Sequence, residues 1–389
     1  MPRRHTAKSV SRRSARAGVM LPLTAAAILF AAGVVFLLNA FNAPAPVVSP
    51  PQTTAGQFAG LAPEVVVKST TNRGETNIGD YWIGEDFAAG FRALQIPADI
   101  DYRGEYNRER SPEPAVNLYM RGYTDFTAPF PPGCNVLYAY YPMAYTAASA
   151  HKSPNRRRTP LPENPVPDNA NLDDDWQNFD LIAVASPDYA AELKRAGIDA
   201  VYVPQFTNPE KFYPAPDPAL ATDILFVGSN WHDRTSLRYA LEAGFTVAVY
   251  GYNWQSLVPP EMYKAPYIPN PELNRYYSSA KIVLNDHRPD MQSFGFVNNR
   301  IYDATAAGAL VISDYMPAIA AAYGDAVPMY KNKEELADLL RYYLTHEDER
   351  RALAEKARRI TLEKFTHTAA ARAIWNAARA KCPLSFPAI

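Results

Sequence analysis

Three polar residues on one short stretch, Asn299, Arg300 and Asp303, carry the types and spacing best suited to chemistry in this sequence. They lie within SFGFVNNRIYDATAAGALVISDY, residues 293–315. Side chains three and four apart on a helix are neighbours, so an amide, a guanidinium and a carboxylate can gather on one face. A carboxylate so placed could accept both hydroxyls of a ribose, while Arg300 or the free N–H groups at the helix start could meet a phosphate. An intrahelical ion pair with a cap is the plainer alternative. No Asp-x-Asp in suitable surroundings offers a metal site, and the acidic cluster LDDDW at 172–176 falls in a proline-rich loop. No metal dependence is predicted.

The flanking pattern says what must position these groups. KIVLN reads as a buried strand and DHRPDMQSFGF as the loop leaving its carboxyl end, so a helix should begin near Val297. Ile301, Ala304 and Gly308 form its packed stripe, and Gly308 stops it before the strand ALVIS. The same alternation runs through the chain. EVVVKST, VNLYMRG, NVLYAYYPM, DLIAVAS and AVYVP read as strands in the first half, with helices YWIGEDFAAGFRALQI and PDYAAELKRAG between them. DILFVGSN, FTVAVYG, KIVLN and ALVIS repeat the pattern in the second half, before the helices KEELADLLRYYL, DERRALAEKARRITLEKF and TAAARAIWNAARA. Apolar strands alternating with helices predict parallel sheets covered on both faces. The expected fold class is therefore α/β: two doubly wound, Rossmann-like domains, residues 64–205 and 221–380, joined by a linker at 206–220. Facing each other, they place their strand carboxyl ends around one cleft, where ligands of open α/β sheets bind.

Charge and apolar content add a membrane expectation. Residues 1–17 hold six Lys and Arg and no acid, the stretch 18–41 has no charge, and residues 42–63 form a proline-rich spacer. The uncharged stretch is long enough to cross a bilayer as a helix of about 1.5 Å rise per residue. Prolines crowd the only Ala-x-Ala after it, which favours an uncleaved anchor over a signal peptide. The charge asymmetry places the N-terminus in the cytoplasm and the folded part outside it. A formal net charge of -1 gives no global electrostatic case for nucleic acid. Cys134 and Cys382 match neither a disulfide framework nor a metal spacing, so each is expected as a free thiol. Arg156, Arg157 and Arg158 could form an anion patch, with a solvated loop as the plainer alternative.

Residues 298–314 resemble the donor-binding element of glycosyltransferases with the two-domain GT-B fold, above all the bacterial group 1 and CgeB-like members, whose pattern is close to N-x-R-x-[FY]-[ED]-A-x-A-x-G-A-x-[LV]-[IL]-[ST]-D. DILFVGSNWHDRTSLRYAL, VYGYNW, NPELNRYYSSAKIVLN and the linker VPQFTNPEKFYP resemble further elements of that family, in order, over roughly residues 180–375. The resemblance implies sugar transfer from an activated donor, a nucleotide sugar, to an acceptor held mainly by the first domain. It implies that Asp303 binds ribose, flanked by Asn299 and Arg300, and that Gly228, Ser229 and Arg234 approach the donor phosphates, with Arg234 neutralising the leaving diphosphate. The donor is a substrate, and no cofactor is expected. Many retaining members carry a second acid eight residues before the ribose-binding one, where this chain has Gly295.

A general base must then come from elsewhere. Asp80, in TNIGDYW, is the candidate; as an Asp at a helix start it could equally be an N-cap. His232 and His287, in cleft-side loops, could bind a donor oxygen, with a structural role as the plainer alternative. The expected acceptor is a cell-envelope glycan, a glycolipid or a glycoprotein. A pyruvyl transferase, suggested by the N-x-G-D turn at 77–80, and a non-catalytic binding protein, suggested by Gly295, are the alternatives.

Overall fold

Branched and aromatic runs, buried on both faces, make the strands of two sheets. In the first lobe these are β1 (Val65–Lys68), β2 (Ala98–Asp101), β3 (Val116–Arg121), β4 (Cys134–Ala139), β5 (Leu181–Val184) and β6 (Ala200–Tyr202), with helices α1 (Gly79–Ala93) and α2 (Pro187–Arg195) between them. The computed structural model describes residues 62–122, 130–142, 179–195, 197–383 and 386. The basic tail, the uncharged stretch 18–41, nearly all of the spacer and the loop with Arg156–Arg158 and LDDDW lie outside the described residues. Among the described residues no helix is long and apolar enough to cross a membrane.

All pairings in the first sheet are parallel, in the order β2-β1-β3-β4-β5-β6. The second lobe holds β7 (Thr222–Val227), α3 (Thr235–Glu242), β8 (Ala248–Tyr250), β9 (Tyr263–Ala265), α4 (Asn270–Ser279), β10 (Ala280–Asn285), α5 (Pro289–Phe294), α6 (Asn299–Ala306), β11 (Leu310–Asp314), α7 (Pro317–Tyr323) and β12 (Met329–Tyr330). Its sheet is also parallel, in the order β12-β11-β10-β7-β8-β9. The chain winds from β1 to β2 on one side and returns to β3 on the other. It does the same from β7, to β8 and then β10. Each lobe therefore has one switch point, β1/β3 and β7/β10, where a crevice opens at the strand carboxyl ends. The sequence-based start of α6 near Val297 falls two residues early, because Asn298 is still extended and binds back to Asp286 O at 2.8 Å.

Three further helices follow: α8 (Lys333–Thr345), α9 (Glu347–Lys364) and α10 (His367–Lys381). The last of these packs on α1 of the first lobe, although it ends a run of second-lobe elements. Ala370, Ala371, Ile374 and Ala378 are buried in the first lobe's core. The approach to α1 is close enough that a Cβ at Gly90 would collide with the His367 carbonyl. α5 makes a second crossing. Met291 and Phe294, with Phe296 just after them, sit in the same core against Tyr189. Ser186 Oγ donates to Phe294 O at 2.6 Å, and the Tyr141 hydroxyl donates to the Asp290 carboxylate.

Cys134 and Cys382 are joined in a disulfide, which corrects the expectation of two free thiols. They stand 248 residues apart, so spacing says nothing about their pairing. Only the return of α10 brings residue 382 beside the first residue of β4.

A polar seam completes the contact between lobes. Asp303, on α6, accepts from Thr207 Oγ1 at 2.8 Å and from Asn299 Nδ2 at 2.7 Å. Asp86, on α1, accepts from Asn208 Nδ2 at 2.7 Å and pairs with Lys211 at 2.6 Å. Linker residues thus hold one carboxylate from each lobe. Burial pushes the Asp303 carboxyl up to about 8, against the Thr207 bond that lowers it and with the Asp86 charge raising it further.

Two measurements check these crossings. Removing the disulfide with Cys134→Ser and Cys382→Ser should lower unfolding free energy by about 2–5 kcal/mol, and non-reducing peptide mapping should recover the two cysteines as one linked pair. The second concerns pH. A carboxyl whose folded pKa lies above its unfolded value keeps a proton that the unfolded chain has lost, so its stability contribution is full below about pH 4 and fades as pH rises to about 8. Urea unfolding at pH 5 and pH 8 should therefore show a loss of stability on going to pH 8 that is smaller in Asp303→Asn than in the parent chain.

Candidate active site

The second lobe's switch point is spanned by one side chain. Arg300, from the first turn of α6, donates through Nη2 to Val227 O at the end of β7 (2.6 Å) and through Nη1 to Asn285 Oδ1 at the end of β10 (2.7 Å). Arg234, just before α3, approaches from the other side and is 8% exposed. Its Nε lies 3.2 Å from Asp286 Oδ1. The two guanidiniums converge over Gly228: a Cβ there would stand 2.6 Å from Arg234 Nη2 and 2.9 Å from Arg300 Nη2. Both also lie over the Phe226 ring, at 5.2 and 5.6 Å.

Two acids act on Arg234, Asp286 more strongly than Asp314. Asp286 is the acid paired with Arg234, and its other oxygen accepts from Ser236 N and Oγ at the start of α3. Burial, with the Arg300 charge adding to it against the pull of Asp286, pushes Arg234 down to about 10. Crowding two cations in a desolvated place costs free energy that a bound anion returns. His232 Nε2 accepts from Arg234 Nη1 at 2.8 Å, and burial followed by the Arg234 charge lowers its pKa to about 4, so the ring is neutral.

The expected site residues are thereby sorted. Gly228 and Arg234 come together with Arg300, but the glycine serves differently from expectation. Its N–H donates to Tyr250 O and its carbonyl accepts from Trp254 Nε1, so neither is free for a ligand. What the missing side chain gives is room for the guanidiniums. Ser229 Oγ accepts from Tyr252 N at 3.2 Å, tying this loop to the one after β8. The trio on α6 divides. Arg300 makes no ion pair with Asp303, because Val227 O and Asn285 offer it partners at the switch point, and Asp303 with Asn299 turns to the linker seam.

His287, Asp314 and Gln292 form a group that spacing did not reveal. Asp314 accepts from His287 N (2.9 Å), His287 Nδ1 (2.7 Å), Gln292 Nε2 (2.6 Å) and Ser313 Oγ (3.0 Å). Burial pushes its carboxyl up, yet the His287 charge and these bonds outweigh it and hold the carboxyl below its usual value. The available signal was that KIVLN and ALVIS both run directly into an acid, Asp286 and Asp314. Gly295 also has a structural reason. It ends α5 at φ +71°, and a Cβ there would come within 2.8 Å of Asp188 Oδ2 from the first lobe. A side chain at this position is disfavoured by the left-handed backbone and by the nearness of Asp188.

In the first lobe, Asp80 is the second residue of α1. The cap is Ile78, without a side-chain bond, so the N-cap alternative for Asp80 does not hold. Burial pushes the Asp80 carboxyl up to about 6, opposed by the Tyr140 hydroxyl and the Arg121 charge. Arg121 ends β3 and Tyr140 follows β4, which places this group at the carboxyl edge of the first sheet. The adjoining loop is tied across the lobes, since Tyr267 OH donates to Thr76 O at 2.9 Å. Among the described residues, Cys134, Asp180 and Cys382 form a group of metal-ligand type, but its two sulfurs are bonded to each other at the opposite edge of the sheet.

The chain is similar to known proteins in part of its sequence and in its fold. Residues 229–376 match a family model described as Glycosyl transferase-like. The spore protein CgeB of Bacillus subtilis (strain 168) is 28% identical over 162 residues, which are 37% of this chain and 50% of that protein. The chain thus spans about half the length of the curated relative it matches. Among solved structures, sucrose-phosphate synthase from Thermosynechococcus elongatus superposes with a TM-score of 0.56 at 14% identity, covering 81% of this chain and 98% of that one. Anabaena HepE in complex with UDP and glucose gives 0.52 at 9% identity, covering 81% and 99%. In its paired parallel sheets the chain shares the fold of these solved structures, and its second lobe is similar to glycosyl transferase-like proteins, CgeB among them.

Proposed function

We propose that this chain transfers a glycosyl group from a nucleotide-activated sugar to a hydroxyl of a glycan, glycolipid or glycoprotein acceptor. The observation that carries the reading is the pair Arg234 and Arg300, converging over Gly228 at the switch point, with Asp286 beside Arg234. A diphosphate is the anion whose charge and reach suit two forked donors held by carbonyl, amide and carboxylate partners. When the bond from the anomeric carbon to the diphosphate oxygen breaks, the leaving nucleoside diphosphate gains charge that the guanidiniums are already placed to meet. The acceptor hydroxyl forms the new bond to that carbon and gives its proton to Asp80. A carboxyl raised to about 6 is a stronger base than an ordinary Asp and is still ionised near neutral pH. No step in this scheme calls on a metal. Asp303 and Asn299 are the candidates for the ribose hydroxyls, which would then replace the Thr207 bond.

The compartment belongs to the same reading. The Cys134–Cys382 disulfide supports an oxidising location for the lobes, in line with the basic N-terminal tail and a membrane anchor at 18–41. A lumenal nucleotide sugar or a lipid-linked diphosphate sugar then serves as donor. Neither a pyruvyl transferase nor a non-catalytic binding protein gains an observation of its own.

Calorimetric titration with UDP tests the donor site. Binding is expected in the parent chain, with a loss of at least tenfold in Arg300→Ala and in Arg234→Ala; equal affinity in all three would remove the anion site. For the base, kcat should rise with pH through about 6 and level off, and Asp80→Asn should lower kcat by about 10²–10⁴ with UDP affinity kept.

A further inference from the structure

We infer that the chain has a second saccharide site, separate from the arginine pair, in a cavity of about 560 Å³ where α1, the linker and the start of α4 meet. Its volume suits a small ligand of two or three sugar units in scale. None of Gly228, Arg234 and Arg300 lines it.

The lining defines the ligand by what it lacks and what it offers. Its charges cancel, Lys211 and Arg275 against Glu210 and Asp217. The cations are also already engaged: Lys211 with Asp86 across the lobes, and Arg275 with Asp217 and Glu272. An anionic ligand would have to displace those acids, so an uncharged one is favoured. Other recognition groups line the cavity, with Lys211 Nζ lying 4.9 Å from the Trp82 ring centroid. The Asn270 amide, in the first turn of α4, makes no hydrogen bond among the described residues. The Tyr213 ring is 38% exposed, and its backbone alone is bonded, to Asn274 and Ser278. Trp82 adds an indole held in place by its Nε1–H bond to Thr76 O at 2.8 Å.

Two aromatic rings with an amide between charge-neutral walls match the C–H faces and hydroxyls of a neutral sugar. Rings provide apolar faces of fixed geometry, and an amide both donates and accepts, as paired hydroxyls require. The three groups come from the first lobe, the linker and the second lobe respectively, so a bound glycan bridges all three. This site stands independently of the transfer chemistry, and its natural occupant is a neutral stretch of glycan held away from the reacting end.

Calorimetric titration of the full chain with maltotriose, cellotriose, mannotriose and chitotriose tests it. At least one is expected to bind, with affinity falling tenfold or more in Trp82→Ala and severalfold in Asn270→Ala and Tyr213→Phe taken together, while UDP affinity stays unchanged. Asn270→Ala is half-exposed and serves where Trp82→Ala fails to fold. Binding of none of the four, or binding that survives every substitution, overturns the inference. So does a fall in UDP affinity in these variants, which would make the cavity part of the donor site.

Discussion

The shared core between the lobes is the constraint on which the rest depends. The segment from Met291 to Phe296 and the helix α10 both leave the second lobe and bury their apolar side chains in the first. Phe294 and Phe296 pack on Tyr189, and Ala371 and Ile374 are fully covered. Burying a large apolar side chain contributes about 1.5–3 kcal/mol, so separating the lobes would expose several such contributions at once. The cleft is thus bounded by two crossings with known side chains, and the loop between β10 and α6 is held at both ends. That loop is the one that carries Asp286 and His287 to the switch point.

Such rigidity is what two crowded guanidiniums require. Arg234 and Arg300 would move apart in water. They are kept together because each is anchored: Arg300 by Val227 O and Asn285 at strand ends, Arg234 by Asp286 directly after β10. Preorganised donors cost no rearrangement when an anion arrives. The seam acts in the opposite sense. Asp303 and Asp86 are buried carboxyls on different lobes, and the pKa of each is raised, mainly by burial. The linker's Thr207, Asn208 and Lys211 satisfy them, so this contact is exchangeable where the apolar crossings are not.

What was legible in the sequence follows from range. Strand and helix alternation is a local pattern, and it identified the two parallel sheets, although α5 lies in a stretch that reads as loop. The convergence of Gly228, Arg234 and Arg300 was also foreseeable, since the ends of consecutive elements meet at a switch point. Directions of side chains were not. Spacing allowed Arg300 to meet Asp303, but a carbonyl on β7 and an amide on β10 compete for the guanidinium, and neither is near in sequence. The cysteines show the same limit more sharply, since their meeting depends on where a C-terminal helix returns. Gly295 could be read only as a missing acid; its positive φ and the nearness of Asp188 give it a reason of its own.

The placement of Asp303 bears on how a donor could enter. Its two oxygens are bonded to Thr207 and Asn299, and the residue is 7% exposed. A ribose could reach it only by replacing one of those bonds, and Thr207 is the one that belongs to the linker. Exchanging a hydroxyl for a hydroxyl is nearly neutral in hydrogen bonding, whereas the Asp86–Lys211 pair beside it would remain. Donor entry on this view loosens one half of the seam and leaves the other intact, while α5 and α10 keep the lobes joined. On the proposed function, the acid that the family resemblance singled out joins the lobes and would also meet a ribose, since Thr207 and a sugar hydroxyl present the same donor.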